Sequence, residues 1–183
     1  QQIIVRQYPK EREEVCVNII VSADKNWGIG SNNQLLVRIP DDMRRFRELT
    51  IGKVIVMGRK TRESLPNGIL DGRVNMILTH DKHYKVKGAI TLNSLEELNR
   101  QLQQYPADDI FLIGGEQMYR QLLDKCSRAY VTKIDFAYSA DAYFPNLARQ
   151  PEWRLTEESE EQTYFDLIYH FQIYQRVCKR EDC

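Results

Sequence analysis

The sequence lacks the features of a metal site, a disulfide framework or a membrane span. Its 183 residues include only three histidines, and the four cysteines (Cys16, Cys126, Cys178 and Cys183) form no C-x-x-C pair, so a structural zinc site is not indicated. No apolar run reaches the ~18 residues of a transmembrane helix, and the first residues lack the apolar core of a signal peptide. We therefore expect free thiols, no metal and a cytoplasmic location.

An excess of charge of either sign is also missing. Lys plus Arg number 26, and so do Asp plus Glu, which gives no electrostatic reason to expect nucleic acid or an anionic membrane as the main partner. Apolar residues make up 42 % of the chain and charged residues 28 %, as in ordinary globular proteins. The length is sufficient for one domain with a substantial core.

The pattern along the chain predicts one main domain with short flanking segments. Residues 1–16 carry mixed charge and a proline, and we predict an N-terminal extension there, either an added strand or a disordered arm. The main domain is predicted to span residues 17–178, followed by a tail at 179–183. The acidic run at 157–161 is typical of a solvated connector.

Strand-like and helix-like patterns alternate in the main domain. Ser94 and Glu97 have the spacing of a capping box that begins a helix. Strands that alternate with helices indicate an α/β domain with a largely parallel sheet. Residues 163–174 alternate with period two, which predicts one long strand paired antiparallel with residues 153–157. The other predicted strands are 17–23, 54–57, 74–79, 110–113 and 129–134.

Three predicted strands end in residues that suit phosphate. Residues 54–57 lead into Gly58-Arg59-Lys60-Thr61, with Thr61 placed to cap a helical turn. Residues 110–113 lead into Gly114-Gly115, and the strand at 74–79 ends in Thr79, followed by His80. Helix N-termini offer free N–H groups, and ligands of parallel sheets bind beyond the carboxyl ends of the strands. The segment at 57–61 resembles the end of a kinase P-loop, but G-x-x-x-x-G-K-[ST] is absent. Three such ends favour a ligand with several phosphates, such as a dinucleotide.

Two adjacent aspartates stand at the predicted start of a helix. Acidic residues stabilise the first turn of a helix, which accounts for Asp41 and places it in a surface charge cluster with Arg44 and Arg45. Asp42 differs because Phe46 lies four residues on, which places Asp42 at the border of the apolar face. From spacing alone, a helix-start role and a ligand role both remain open for Asp42.

At this point the sequence resembles the dihydrofolate reductase family over residues 17–176. The resemblance rests on seven segments in the family's order: WGIG (27–30), IPDDMRRF (39–46), VIVMGRKTRESLP (54–66), GRVNMILTH (72–80), IGGEQMY (113–119), YVTKID (130–135) and DAYFP (141–145). It implies a single α/β domain with a mainly parallel eight-stranded sheet, an antiparallel C-terminal strand and about four flanking helices. It also implies NADPH-dependent reduction of 7,8-dihydrofolate to 5,6,7,8-tetrahydrofolate, which supports one-carbon metabolism and thymidylate and purine synthesis. We expect a monomer that binds dihydrofolate and antifolate inhibitors.

The resemblance assigns Asp42 to the family's buried ligand carboxylate and Thr132 to its hydrogen-bond partner. A carboxylate can accept two parallel charge-assisted hydrogen bonds from the amino group and ring N–H of a pterin. The proton would reach N5 through water, and hydride would pass to the carbon beside N5. Arg73 matches the residue that binds the glutamate tail, and Ile20 and Ser22 would offer backbone carbonyls. The remaining implied substrate residues are Met43, Phe46, Leu65, Leu70 and Ile113.

The resemblance also assigns a cofactor site. Arg59, Thr79 and His80 would be best placed for a 2′-phosphate, which favours NADPH over NADH, and Gly114-Gly115 would be linked by a cis peptide. The loop at 27–36 would close over the nicotinamide. The full implied set is Ser22, Ile29, Gly30, Gly58, Arg59, Lys60, Thr61, Leu78, Thr79, His80, Gly114, Gly115, Glu116, Gln117 and Tyr119.

Two positions depart from the family pattern, and two other functions compete. Leu36-Val37 stand where the family usually has Pro-Trp, so the indole N–H that holds a water beside the pterin is missing, which bears on rate and antifolate affinity. Arg62 stands where an apolar or aromatic residue is common and bears on the surface beside the cofactor.

One alternative function is that of the related reductase of riboflavin synthesis, which lacks the residues matched by Asp42 and Arg73. The other is a nucleotide-binding module without catalysis.

Overall fold

The computed structural model describes residues 16–177. Apart from Cys16, the predicted extension at 1–16 and the predicted tail at 179–183 lie outside the described residues. Within residues 16–177, no helix is both long enough and apolar enough to cross a bilayer. The same range contains no cluster of three His, Cys, Asp or Glu side chains suited to a metal ion.

The described residues alternate between strands and helices, as predicted. The α-helices are α1 (Pro40–Thr50), α2 (Arg59–Ser64), α3 (Leu95–Leu102) and α4 (Glu116–Leu122). The strands are β1 (Val17–Ala23), β2 (Gly28–Gly30), β3 (Val54–Gly58), β4 (Val74–Leu78), β5 (Ala89–Leu92), β6 (Ile110–Gly114), β7 (Cys126–Ile134), β8 (Ala142–Tyr143), β9 (Trp153–Glu158), β10 (Gln162–Tyr164) and β11 (Leu167–Arg176).

The main sheet is largely parallel, with antiparallel strands at one edge. Its strand order is β10-β11-β7-β1-β6-β3-β4-β5, and every pair from β7 to β5 is parallel. β11 runs antiparallel to β7, and both β9 and β10 pair with the other edge of β11. Because β9 and β10 lie one after the other along that edge, nine strands fill eight positions across the sheet. The predicted α/β fold with an antiparallel C-terminal strand is confirmed.

The prediction of one long strand at 163–174 is wrong at its start. The chain turns at Phe165 and Asp166, so that β10 and β11 form a hairpin in which Tyr164 pairs with Leu167. Phe165 has φ +51° and is 88 % exposed, as the tip of a tight turn requires. Phe-Asp lacks the glycine that usually marks such a turn, and the apolar alternation runs straight through it. β9 is antiparallel to β11 as predicted, and it includes two residues of the predicted acidic connector at 157–161.

Both faces of the parallel strands are covered, which explains their unbroken apolar runs. On one face, Leu98 of α3 and Leu122 of α4 pack with Ile19 and Val56. On the other face, Ile55 forms a core with residues that include Leu49 of α1. The Ser94 hydroxyl accepts a hydrogen bond from the Glu97 N–H at the start of α3, as predicted, but the Glu97 carboxylate accepts from the Asn93 N–H rather than from Ser94.

Candidate active site

A cleft of about 1380 Å³ opens at the carboxyl ends of the parallel strands. The chain runs from β1 to β3 in one direction across the sheet and from β6 to β7 in the other, so the strand order reverses between β1 and β6. Ligands of α/β sheets bind at such a reversal. The structure brings every predicted site residue to the lining of this cleft except Thr132, which is buried beside Asp42.

Asp42 lies in the first turn of α1 and is partly buried. The Thr132 hydroxyl donates a hydrogen bond to Asp42 Oδ1 over 2.5 Å. Burial raises the pKa of Asp42, and the hydrogen bond from Thr132, the charge of Arg45 and the hydrogen bond from Ser22 oppose that rise. A carboxylate whose ionised form is disfavoured in the cleft is suited to a ligand that offers hydrogen-bond donors.

A row of side chains across three strands supports that carboxylate. Thr132 of β7 lies opposite Ser22 of β1 and Phe171 of β11 in the sheet register. Paired residues of neighbouring strands project to the same face of the sheet. The row therefore presents two hydroxyl groups and one aromatic ring toward α1.

The two aspartates of α1 have separate surroundings. Asp41 is exposed and pairs with Arg44 over 2.6 Å, as predicted. The prediction that Arg45 joins this surface cluster is wrong, because its guanidinium lies over the rings of Phe171 and Tyr130, with Cζ 4.4 Å and 5.8 Å from their centroids. Contact with these two rings therefore replaces the i, i+4 ion pair between Arg45 and Asp41 that the helical spacing allows.

Arg73 is held at the edge of the cleft. Its Nε donates to Thr50 Oγ1 and its Nη1 to the Asp71 carbonyl, both over 2.8 Å, and Cζ lies 5.8 Å from the centroid of the Phe46 ring. Burial and, to a lesser extent, the nearby charge of Arg47 lower the pKa of Arg73 from its ordinary value. A guanidinium fixed in this way is prepared for a carboxylate.

The glycine-rich strand ends form a close contact at the other side of the cleft. A Cβ atom on either Gly114 or Gly115 would lie 3.2 Å from Thr61 Oγ1, so a side chain at either position would press on α2. The Gly114-Gly115 peptide is cis, as the resemblance implied. The prediction that Thr61 caps a helical turn is wrong, because α2 begins at Arg59 with Gly58 as its N-cap and no capping side chain. Its first N–H groups are therefore free for a ligand.

The segment 27–36 divides into a fixed part and a part that reaches over the cleft. Trp27 is 5 % exposed and stacks on Phe144 in the core, so it does not belong to the closing loop that was predicted. β2 pairs with β8, and the Asn33 side-chain amide donates to the Lys60 carbonyl over 2.9 Å. That hydrogen bond joins the loop to α2 on the phosphate side of the cleft.

Both positions that depart from the family pattern lie outside the cleft lining. Val37 packs with the cluster of Ile39, Ile134 and Tyr169. Arg62 Nη2 lies 2.9 Å from the position of a Cβ on Gly68, so its guanidinium covers that turn rather than the cofactor side of the cleft.

The Ile20 carbonyl, predicted to face a ligand, already accepts a hydrogen bond from the Tyr119 hydroxyl over 2.8 Å.

Sequence reasoning missed two exposed arginines of the lining, Arg38 and Arg47. Met43 and Arg47 are four residues apart on α1 and so share one face of the helix. That spacing could have indicated Arg47, since Met43 was already assigned to the site. No comparable signal marks Arg38, which precedes the helix.

One cleft at the reversal of a parallel sheet, with the uncapped start of α2 at one side and a partly buried carboxylate at the other, is typical of an α/β nucleotide-binding enzyme. The family profile described as dihydrofolate reductase matches residues 16–176. The chain belongs to the dihydrofolate reductase family. It is accordingly an NADP-dependent oxidoreductase that reduces dihydrofolate to tetrahydrofolate, and the predicted family, reaction and cofactor are confirmed.

Individual relatives agree with the family profile. The dihydrofolate reductase of Neisseria gonorrhoeae is 35 % identical over 144 residues, which cover 79 % of this chain and 87 % of that protein. The dihydrofolate reductase of Staphylococcus haemolyticus is 31 % identical over 165 residues, covering 88 % and 96 %. The solved structure of dihydrofolate reductase from Enterococcus faecalis, complexed with NADP(H) and RAB-propyl, has the same fold, with a TM-score of 0.80, 24 % identity and coverage of 90 % and 98 %.

Proposed function

We propose that, in the reduction of dihydrofolate, this chain holds the pterin on Asp42 and binds NADPH along the glycine-rich strand ends. The observation that carries the proposal is the partly buried Asp42 carboxylate, fixed by Thr132 and open to the cleft. A partly buried carboxylate without a full set of donors is costly, so the site favours a ligand that supplies them.

The Asp42 carboxylate orients the pterin. A carboxylate has about four lone-pair sites, so the hydroxyl of Thr132 leaves positions free for the amino group and ring N–H of the substrate. Two parallel charge-assisted hydrogen bonds fix the ring plane and support the electron distribution needed as N5 gains its proton. Because Asp42 is occupied by the amino group and ring N–H in this arrangement, the proton for N5 is proposed to arrive through water.

The residues between Asp42 and Arg73 accommodate the rest of the substrate. Met43, Phe46, Leu65, Leu70 and Ile113 supply the apolar walls. Arg73 binds the glutamate tail, since its guanidinium is oriented by Thr50 and by the Asp71 carbonyl while other N–H groups stay available. A planar guanidinium matches a carboxylate in a bidentate arrangement.

The opposite side of the cleft fits a dinucleotide. A side chain at Gly114 or Gly115 would press against Thr61, and α2 begins at Arg59 without a capping side chain, so its first N–H groups suit a phosphate. Arg59, Thr79 and His80 are proposed to bind the 2′-phosphate, with Lys60 and Thr61 at the other phosphates. When bound, NADPH supplies hydride to the pterin carbon beside N5. The Enterococcus faecalis structure, which has the same fold, is complexed with NADP(H), and this supports NADPH as the cofactor proposed for the cleft.

The test measures loss of NADPH absorbance when purified protein is mixed with dihydrofolate. We expect the wild type to be active and Asp42→Asn to lower kcat by about 10²- to 10³-fold, as loss of a charged transition-state contact does. Asp41→Asn is the matched control, because it removes the same charge from the same helix at an exposed position. Methotrexate is expected to block the reaction.

Three results would contradict the proposal in different ways. Activity unaffected by Asp42→Asn would place the reaction elsewhere. Binding of both ligands without turnover would favour the nucleotide-binding module. Turnover of a pyrimidine of riboflavin synthesis in place of dihydrofolate would favour the related reductase. Antifolate binding, the monomeric state and the cytoplasmic location remain predictions.

A further inference from the structure

A second charged residue of α1 faces the same part of the sheet as Asp42. Arg45 follows Asp42 by three residues, so both side chains lie on one face of the helix. Arg45 is partly buried, with its guanidinium over Phe171 at 4.4 Å and over Tyr130 at 5.8 Å. Its neighbour Arg44 points away and pairs with Asp41 in solvent.

The contacts of Arg45 and Asp42 meet on the row of side chains described above. Phe171, which lies under the guanidinium, pairs in the sheet with Thr132, which donates to Asp42. The two charges are therefore held over neighbouring positions of β7 and β11. Any shift of α1 relative to these strands would move both of them together.

The partner of Arg45 is aromatic rather than acidic. Among residues 16–177, no carboxylate lies within ion-pair distance of its guanidinium. The groups that act on it electrostatically are Asp42 on α1, Tyr130 on β7 and Glu157 on β9. Because aromatic contact does not neutralise the charge, the field of Arg45 remains available to Asp42.

Asp42 responds to that field. Burial raises the pKa of Asp42, and the hydroxyl of Thr132, the charge of Arg45 and the hydroxyl of Ser22 oppose that rise; burial likewise lowers the pKa of Arg45, and the charge of Asp42 opposes that fall. Tyr169 of β11 also interacts with Asp42. The opposing effects of burial and positive charge set the fraction of Asp42 that is ionised before substrate binds.

We propose that Arg45 is a positioning residue for the reaction, whose guanidinium, stacked on Phe171 and one helical turn from Asp42, places a positive charge on the side of the carboxylate that accepts the donors of the pterin. The inference rests on the proposed function of Asp42. Arginine suits this place because its planar group stacks on an aromatic ring and stays charged when partly buried, whereas lysine is more strongly hydrated.

The experiment compares Arg45→Met, Arg45→Lys and the matched control Arg44→Met, which removes the same charge from the exposed side of α1. In each protein the Asp42 carboxyl is titrated by ¹³C NMR without ligands, and kcat/KM for dihydrofolate is measured against pH. We expect Arg45→Met to move both midpoints upward by up to about 1 unit, because an opposite charge within about 4–6 Å shifts a carboxyl by about 1–3 units and Arg45 forms no direct ion pair with Asp42. Arg45→Lys should restore at least half of the shift, and Arg44→Met should match the wild type.

An unchanged titration midpoint in Arg45→Met, or an equal shift in Arg44→Met, would overturn the inference. Arg45→Gln serves as the second neutral variant if Arg45→Met does not fold. The NMR titration needs no turnover, so an inactive wild type would count against the proposed function while the role of Arg45 was still decided. A merely structural role for Arg45 would lower thermal stability without moving the Asp42 midpoint.

Discussion

Thr132 of β7 donates its hydroxyl hydrogen to Asp42 of α1 over 2.5 Å, across 90 residues of sequence. This contact joins the first turn of a helix to the centre of the sheet at the wall of the cleft. Thr132 is buried, so water cannot replace its hydroxyl without rearrangement. The bond fixes the direction of the carboxylate and lowers its pKa against the effect of burial.

Thr132→Val removes that hydroxyl with little change of shape. We expect kcat/KM at neutral pH to fall by about 10-fold, equivalent to ~1.4 kcal/mol, because the carboxylate loses one donor and its ionised form becomes less favourable. Steady-state kinetics with dihydrofolate and NADPH provide the measurement. Thr132→Ser keeps the donor and should retain most of the activity; equal losses in both variants would show that the methyl group, not the hydroxyl, matters.

The same buried carboxylate should reduce the stability of the fold at neutral pH. Burial raises the pKa of Asp42, so the native state prefers the protonated form, and stability is lost as the pH rises through the folded-state pKa. Asp42→Asn removes this cost, and we expect Tm near pH 7 to increase by about 2–4 °C, or ~1 kcal/mol. The gain should vanish in acid, where the wild-type carboxyl is protonated.

Thermal denaturation at several pH values tests that expectation. Asp41→Asn is the control, since an exposed ion pair contributes only about 0–1 kcal/mol and its removal should not reproduce the gain. A lower Tm for Asp42→Asn at neutral pH would mean that the contacts of Asp42 outweigh the effect of its burial.

Arg73→Lys should separate tail binding from chemistry. Lysine cannot keep the hydrogen bond to Thr50 and still present a bidentate face, so we expect KM for dihydrofolate to rise by about 10- to 100-fold with little change in kcat. A dihydropterin without the glutamate tail should show the same kinetics in wild type and variant. If the tailless substrate is equally impaired, Arg73 acts through the fold, and a lower unfolding temperature would accompany that result.

The parts of the fold that follow local patterns could be predicted from the sequence. The apolar runs of β1, β3, β4, β6 and β7 and the start of α1 were visible because each depends on neighbouring residues. The hairpin at Phe165 was missed because the apolar alternation continues through the turn. The orientation of Arg45 depends on Phe171, which lies far away in the sequence, so the local spacing to Asp41 indicated the wrong partner.

The site residues divide in the same way, into those with a local sequence signal and those placed by contacts between distant parts of the chain. Asp42 stood out at the border of the helical apolar face, whereas Thr132 has no feature that distinguishes it from other strand residues. The role of Thr132 was predicted only from the family resemblance. Its contact with Asp42 depends on the pairing of β7 in the sheet, which local sequence does not reveal. The predicted Thr61 cap is wrong because sequence alone does not place the start of a helix to better than one or two residues.

The order of strands across the sheet differs from their order along the chain, and this has a consequence for synthesis on the ribosome. β1 is the first described strand to emerge, yet both its neighbours in the sheet, β6 and β7, are made about a hundred residues later. β3, β4 and β5 can pair soon after they appear, while β1 keeps both edges open and its apolar side chains uncovered. A nascent chain is thus most exposed to aggregation and chaperones until residue 134 has left the exit tunnel.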